Sequence, residues 1–547
     1  MIKTAEVKKF NGMPALFING QPHPGLTHCS GLGYKGKLVN PKHIAQFAHA
    51  GVHLHSFMSY CAYDVGRQVD IWKSNGEFDF STLDKEISLI LKADPDALII
   101  PRVHVFSPPW WDGKHPEELI TDESGQNRFS ARHGKNSFPS FASEKWRREG
   151  GAYCLKKYIE HVESSDYSKH IIGYHVADGG CGEWVVWWHE RGCVDFSKPM
   201  INAFHLWLVK KYKSNVSLLR KAWADRAVDF KTAKIPSRAQ REDSDHLWFR
   251  DPATSMQTID YLACASETVT EAIAYYSKII KEACHQRAIV GTFYGYLFAF
   301  TAYGGEQESG HLAMNKLLDD PNIDFFSSPT AYTNRSLGAG FALPQTPWSS
   351  VQLHGKLWFD ENDIRTSMLK WVGDSNDLKA QVNLGWTDTL EKSLLMQQRQ
   401  IGHVLSNSMA SWWFDMTGGW YDHPKMLDQI KSLQEIANDV LTSDRSSTEQ
   451  IAVVVDERSF YYQGYDPRMI QSLANQLIEI GHIGAPFGVY HVKDLGHANF
   501  HPHRLYLFLN PVFLDQSSRN TIHRRLEMDR ATALWFHAPG YIRVYLE

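Results

Sequence analysis

The chain has 547 residues, 43% of them hydrophobic and 22% charged, with a formal net charge of -4. These values fit a globular protein of more than one domain, and the lack of a basic stripe argues against nucleic acid as a partner. No run of about 18 apolar residues occurs, so no membrane partner is expected, and Met1–Glu6 lacks the apolar core of a secretory signal, so the sequence as written reads as cytoplasmic.

Short apolar runs alternate with helical patterns along the first four-fifths of the chain. The first run lies at Gly25-Leu26-Thr27-His28. A helix follows at Pro41–Ala50, where Ile44, Phe47 and Ala48 have helical spacing. Further runs are Val52–Phe57, Ala97–Val105, Ile171–Val176, Ala288–Tyr294, Ile323–Ser327, Lys356–Phe359 and Met409–Phe414. Eight βα units in order predict an α/β fold, a closed (β/α)8 TIM barrel over residues 1–440, with long insertions after strands three and four. The polar stretch Thr442–Glu449 then marks a change. Strand-like Gln450–Val455, Arg504–Leu509 and Ala531–Phe536 alternate with helix-like Met469–Glu479 and Thr521–Glu527. This predicts a smaller doubly wound α/β domain over residues 445–547. The chain stops at Leu546-Glu547 soon after a strand, so this unit is expected to be truncated.

Seven Cys without a CxxC pair argue against a disulfide framework and a structural zinc site. Among 27 His there is no HExxH, so no metal and no cofactor is expected. His53, His55, His104 and His175 all fall in or beside barrel strands and could form a metal cluster. Without ligand spacing, hydrogen bonding to sugar hydroxyls or core packing is the better reading.

Barrel catalysis sits at the C-terminal ends of strands. Strand four runs into Asp178-Gly179-Gly180-Cys181-Gly182-Glu183-Trp184, and strand seven into Asp360-Glu361-Asn362-Asp363. Each delivers a carboxylate to the same face. Glycosidic cleavage needs two, one protonated toward the leaving oxygen and one ionised. The glycines let the backbone turn tightly and bring Glu183 into the cleft. Asp360 competes with Glu361, but neighbouring strand residues face opposite ways, so only one can aim at a sugar. Taken singly, either Glu reads more simply as a solvated loop residue. Arg102, in an apolar strand end, needs a carboxylate partner, either Glu361 or a structural one. Aromatics reach 13%. Trp110, Trp111, Trp184, Trp187, Trp188, Trp412, Trp413 and Trp420 sit beside Gly, Pro, Asp or His, where indole faces suit sugar C–H faces as well as a core. Trp110, Trp111, Trp184, Trp413, His104, His175 and Asp178 are the expected substrate contacts, with Arg102.

The order of these motifs resembles glycoside hydrolase clan A, especially family 42 β-galactosidases and their relatives. The resemblance rests on Phe47–Val52, Phe78–Asp84, Ile100-Pro101-Arg102, Pro108-Pro109-Trp110-Trp111 and Trp412–Met416, besides the two Glu segments. It implies a retaining glycoside hydrolase acting on an oligo- or polysaccharide, with Glu183 as acid/base and Glu361 as nucleophile. It also implies a hydrogen bond from Tyr332 to that nucleophile, and a homotrimer or other homo-oligomer built through the C-terminal domain. One departure stands out: the clan usually has Asn before the acid/base Glu, and this chain has Gly182. The alternatives are a metal-dependent barrel hydrolase using the histidines and a non-catalytic carbohydrate-binding barrel.

Overall fold

The computed structural model describes residues 4–30, 38–127, 137–185, 194–244, 248–298, 306–332, 335–338, 343–369, 385–464 and 467–543. Trp187, Trp188 and the Leu546-Glu547 end lie outside these residues.

Eight parallel strands close into one barrel in chain order: Leu26–Ser30, Leu54–Tyr60, Leu98–His104, Gly173–Ala177, Ile289–Phe293, Phe325–Pro329, Leu357–Asn362 and Ala410–Asp415. Each overlaps a run read from the sequence. Both faces of a barrel strand are covered, so the strands read as continuous apolar runs rather than alternating ones. Helices Pro41–His49, Ser81–Ala93, Ala152–Ser164, Pro252–Ala283, Leu390–Ser406 and Pro424–Thr442 flank the barrel. Their starts follow local chemistry. Asn40 accepts from the Lys42 N–H ahead of Pro41, and Asp251 from the Ala253 N–H ahead of Pro252. Inside, Phe293, Phe325, Phe359 and Trp412 surround His175, ring centroids 4.4–6.2 Å apart. This aromatic layer is the floor of the barrel mouth.

An element not anticipated from the sequence precedes the barrel. Ala5–Phe10, Met13–Ile18 and Gln21–His23 form an antiparallel sheet. Asn11-Gly12 and Asn19-Gly20 make its two turns, all four residues at positive φ, as a two-residue hairpin connection requires. The sheet packs Ala15 and Phe17 against Leu441 of the last barrel helix.

After the connection 443–450, four parallel strands in the order Phe487–His491, Ile451–Val455, Leu505–Phe508, Thr532–Trp535 form a second sheet. Along Ile451–Val455 alternate residues face opposite sides. Ile451, Val453 and Val455 meet the core that contains Leu473 and Leu477 of helix Pro467–Gly481. Ala452 and Val454 meet the cluster with Ile522 of helix Gln516–Asp529. Helices thus cover both faces. No described helix is long and apolar enough to cross a membrane.

Candidate active site

Glu361 leaves strand seven in regular β geometry, paired with Pro329 on one side and Trp412 on the other. Alternation turns Glu361 inward and Asp360 outward, where Asp360 accepts from Gln400 at 2.8 Å and Thr330 at 3.2 Å. Asp360 is thereby tied to the outer helix layer. Glu361 is buried and accepts two hydrogen bonds on Oε2, from Arg102 Nη2 at 2.5 Å and from the Trp412 indole at 2.9 Å. Arg102 is itself framed by aromatic faces, 4.6 Å from the Phe293 centroid and 5.3 Å from Trp412. Burial raises the Glu361 pKa above the ordinary range, while the Arg102 charge opposes that rise and favours the carboxylate.

Glu183 arrives differently. After strand four the chain makes a tight turn, with Glu183 N–H donating to the Gly180 carbonyl at 2.9 Å and Trp184 N–H to the Asp178 carbonyl at 2.8 Å. Gly179, Cys181, Gly182 and Trp184 all have positive φ. Two of the four are not glycine, so the turn stores strain. A Cβ on Gly182 would lie 2.4 Å from the His104 ring, and one on Gly179 would lie 2.7 Å from Phe141. The φ of +79° favours glycine at position 182, and the His104 ring stands where the Cβ of an Asn would lie. Glu183 is buried, and its Oε2 has no hydrogen-bond partner among the described residues. Burial, then the negative charge of Glu361, hold its carboxyl well above the ordinary value. The two carboxyls are thus electrostatic neighbours with opposite environments.

Supporting groups complete the site. His311 donates from Nε2 to the Glu183 carbonyl at 2.9 Å and accepts the Tyr296 N–H on Nδ1 at 3.3 Å. Burial lowers its pKa to about 3, so the imidazole is neutral, as that pair of bonds requires. The Tyr296 phenol lies within the field of both Glu183 and Glu361. Sequence reading missed both residues: Tyr296 lies three residues beyond the end of strand five, a position the strand-end rule covers, and His311 lies farther along the connection to strand six, where no motif marks it.

The expected substrate contacts divide. Arg102 pairs with Glu361, which decides between the two partners considered for it. His104 abuts the Glu183 turn, stacked on Tyr60 with centroids 5.1 Å apart. His175 bonds Ser327 at 2.8 Å and lies within the aromatic layer, in ring contact with Trp412. Asp178 accepts the Gly179 N–H at 2.8 Å and shapes the turn. Tyr332 donates to Asp363 at 3.1 Å, not to Glu361; Asp363 is also held by Arg335 at 2.6 Å and Arg365 at 3.0 Å.

Several tryptophans expected as substrate contacts have packing or hydrogen-bond partners within the protein. Trp184 is fully buried and donates to Thr292 at 2.8 Å. Trp413 faces outward onto Phe47, because it is one residue out of phase with Trp412. Trp111 packs on Trp146, and Trp110 donates to the Trp72 carbonyl at 2.8 Å. His53 and His55 both bond Asp94 at 3.0 Å. His53 directly precedes strand two and Asp94 lies shortly before strand three, so this trio belongs to the end of the barrel opposite the carboxylates. Among the described residues, the one group of three or more potential metal ligands lies outside the barrel, at Glu449, His501 and His503.

The comparisons with known proteins accord with this geometry. A family model described as Beta-galactosidase, glycoside hydrolase family 42, matches residues 72–320. No curated protein matches the chain. Among solved structures, a β-galactosidase from Bacillus circulans sp. alkalophilus superposes with a TM-score of 0.63 at 13% identity, covering 95% of this chain and 72% of that one. A cold-adapted β-galactosidase from Rahnella sp. R3 gives 0.60 at 12%, covering 97% and 72%. The catalytic domain of a β-amylase from Paenibacillus polymyxa gives 0.55 at 13%, covering 76% and 99%. At these identities the structures speak for the fold alone, and the family model adds a likeness to β-galactosidases over residues 72–320. The chain is thus a (β/α)8 barrel protein that is similar, over residues 72–320, to the β-galactosidases of glycoside hydrolase family 42.

Proposed function

We propose that the protein is a retaining β-glycosidase, β-galactosidase-like in its chemistry, working by double displacement on an oligo- or polysaccharide. The observation that supports this best is the asymmetry of the two buried carboxyls. Glu361, held by Arg102 and Trp412, attacks the anomeric carbon as the carboxylate. Glu183, protonated because it is buried beside that charge, gives its proton to the leaving oxygen. Once Glu361 is esterified its charge is gone and the Glu183 pKa falls. Glu183 then takes a proton from the water that attacks the glycosyl ester, and free Glu361 is regenerated. Gly182 leaves no Asn to meet the sugar 2-hydroxyl, and the His104 ring occupies that space, so the substrate is expected to differ at C2 from an ordinary galactoside. The test is a panel of aryl β-glycosides with the first-formed anomer followed by NMR. A first product of retained configuration is expected; an inverted one contradicts the mechanism.

By the same family resemblance, the chain assembles into a homo-oligomer through the second sheet, whose last strand leaves Leu534 and Trp535 exposed. Light scattering at micromolar concentration is expected to give a multiple of the 62.5 kDa chain mass. A monomer contradicts it.

A further inference from the structure

Outside the barrel mouth, one side-chain cluster has the composition and spacing of a metal site. Glu449 ends the connection between barrel and second sheet, and His501 and His503 form an alternating pair just before strand Leu505–Phe508. Their ligand atoms all lie within 4.8 Å of one another. Both imidazoles aim Nε2 at the same oxygen, Glu449 Oε1, from 3.3 Å for His501 and 3.4 Å for His503. That is long for a hydrogen bond, whose usual N···O separation is about 2.9–3.0 Å. It is the spacing of a tetrahedral zinc edge: ligand atoms each about 2.0–2.1 Å from one ion stand about 3.3 Å apart. We propose that Glu449, His501 and His503 bind a borderline divalent transition metal, with zinc as the natural occupant, water taking the fourth position.

The surroundings fit that role. Two imidazoles and one carboxylate are a donor set for zinc or its first-row neighbours rather than for magnesium or calcium, which prefer oxygen alone. The His503 side chain is fully buried, Glu449 is 13% exposed and His501 36%, so the site is anchored inside and open on the His501 side. Tyr490 donates to Glu449 Oε1, the kind of outer bond that orients a ligating carboxylate. A Cβ on Gly488 would lie 2.4 Å from Glu449 Oε1, so that glycine leaves room for the carboxylate. The ion would tie the interdomain connection to the loop before the third strand of the second sheet. It would be structural, because its ligands come from the second sheet and the connection rather than from the strand ends that carry Glu183 and Glu361.

The test uses the full chain stripped of metal by chelator and titrated with Co2+, whose visible d–d absorption reports tetrahedral coordination. Wild type is expected to take up one equivalent with that signature, and Zn2+ to displace it. His501→Gln, at the partly exposed ligand, should lose saturable uptake while its metal-free melting temperature stays at the wild-type value. Tyr490→Phe should keep the spectrum and bind roughly 10–100-fold more weakly. Zn2+ should raise the melting temperature of wild type and not of His501→Gln. Absence of a tetrahedral spectrum in wild type, or an unchanged titration in His501→Gln, overturns the proposal.

Discussion

The two strand ends that carry the carboxyls are built on opposite principles. At strand seven the backbone is regular and the side chain is held by charge: Glu361 meets Arg102 at 2.5 Å and Trp412 at 2.9 Å. At strand four the backbone is strained and the side chain has no ion-pair partner among the described residues: a turn with four positive-φ residues delivers Glu183, its Oε2 has no hydrogen-bond partner there, and the Tyr296 hydroxyl is the one side-chain donor felt by the carboxyl. The difference teaches how one barrel mouth sets two identical side chains apart. A carboxylate kept ionised needs fixed donors, which regular strands supply across the barrel. A carboxyl kept protonated needs burial beside a negative charge with no cation paired to it, and the turn after strand four places Glu183 so.

The largest expected effect comes from removing the charge that holds Glu361. Arg102→Met leaves a buried carboxylate without its cation, a loss of about 3–5 kcal/mol in the ion pair's setting. Chemical denaturation should show a fall of that order. The acid limb of kcat/KM should move to higher pH, because the Glu361 pKa rises further. An unchanged acid limb would separate Arg102 from the ionisation of Glu361.

Strain at the other strand end is tested next. Gly182→Ala puts a side chain at φ +79° and 2.4 Å from the His104 ring. The backbone part alone costs on the order of 1–3 kcal/mol. A fall in kcat larger than the change in KM is expected, since the carboxyl is displaced and not the sugar subsites. Adding His104→Ala should recover the steric part and leave the backbone part. Strict additivity of the two substitutions would show that the His104 contact does not matter.

A smaller loss follows from Trp412→Phe, which keeps the ring and deletes one hydrogen bond to the carboxylate. A bond to a charged group is worth about 1.5–3 kcal/mol, so kcat/KM should fall about 10–100-fold. The smallest effect is on stability. Because the folded Glu183 holds its proton above the ordinary glutamate value of 4.5, the native state binds more protons than the unfolded one across that window. Stability from this group is present below 4.5 and is lost as pH rises through the folded pKa. Glu183→Gln should remove that decline, giving a flatter stability curve toward neutral pH than wild type.

Much of this arrangement was legible in the sequence, for a physical reason. Strands covered on both faces are unbroken apolar runs, so all eight barrel strands stood out, and carboxylates just beyond runs four and seven had to share one barrel face. Arg102 betrayed itself as a cation within an apolar strand. The N-terminal sheet stands outside the βα alternation, and its sequence signal is the pair of hairpin turns Asn11-Gly12 and Asn19-Gly20. Choosing Trp413 instead of Trp412 was a phase error of one residue, and alternation counted from Glu361 across its Trp412 pairing would have corrected it. Trp111 and Trp184 are buried although each stands beside Trp, Asp or Glu in sequence, so neighbouring residue types alone do not mark an indole as presented. Tyr296 carried the strand-end signal, three residues beyond Phe293, whereas His311 had no local signal, because its role arises from tertiary proximity to Glu183.

The central claim, that Glu361 is the nucleophile and Glu183 the acid/base, is tested most directly by azide rescue of two alanine variants on an aryl β-glycoside with a good phenolate leaving group. Glu361→Ala should lose nearly all turnover and recover it with azide, giving a glycosyl azide of inverted configuration, because the anion enters from the vacated nucleophile side. Glu183→Ala should keep partial activity on this substrate, which needs little protonation, and give a glycosyl azide of retained configuration. Azide products of the same configuration from both variants, or inverted product from Glu183→Ala, would contradict the assignment.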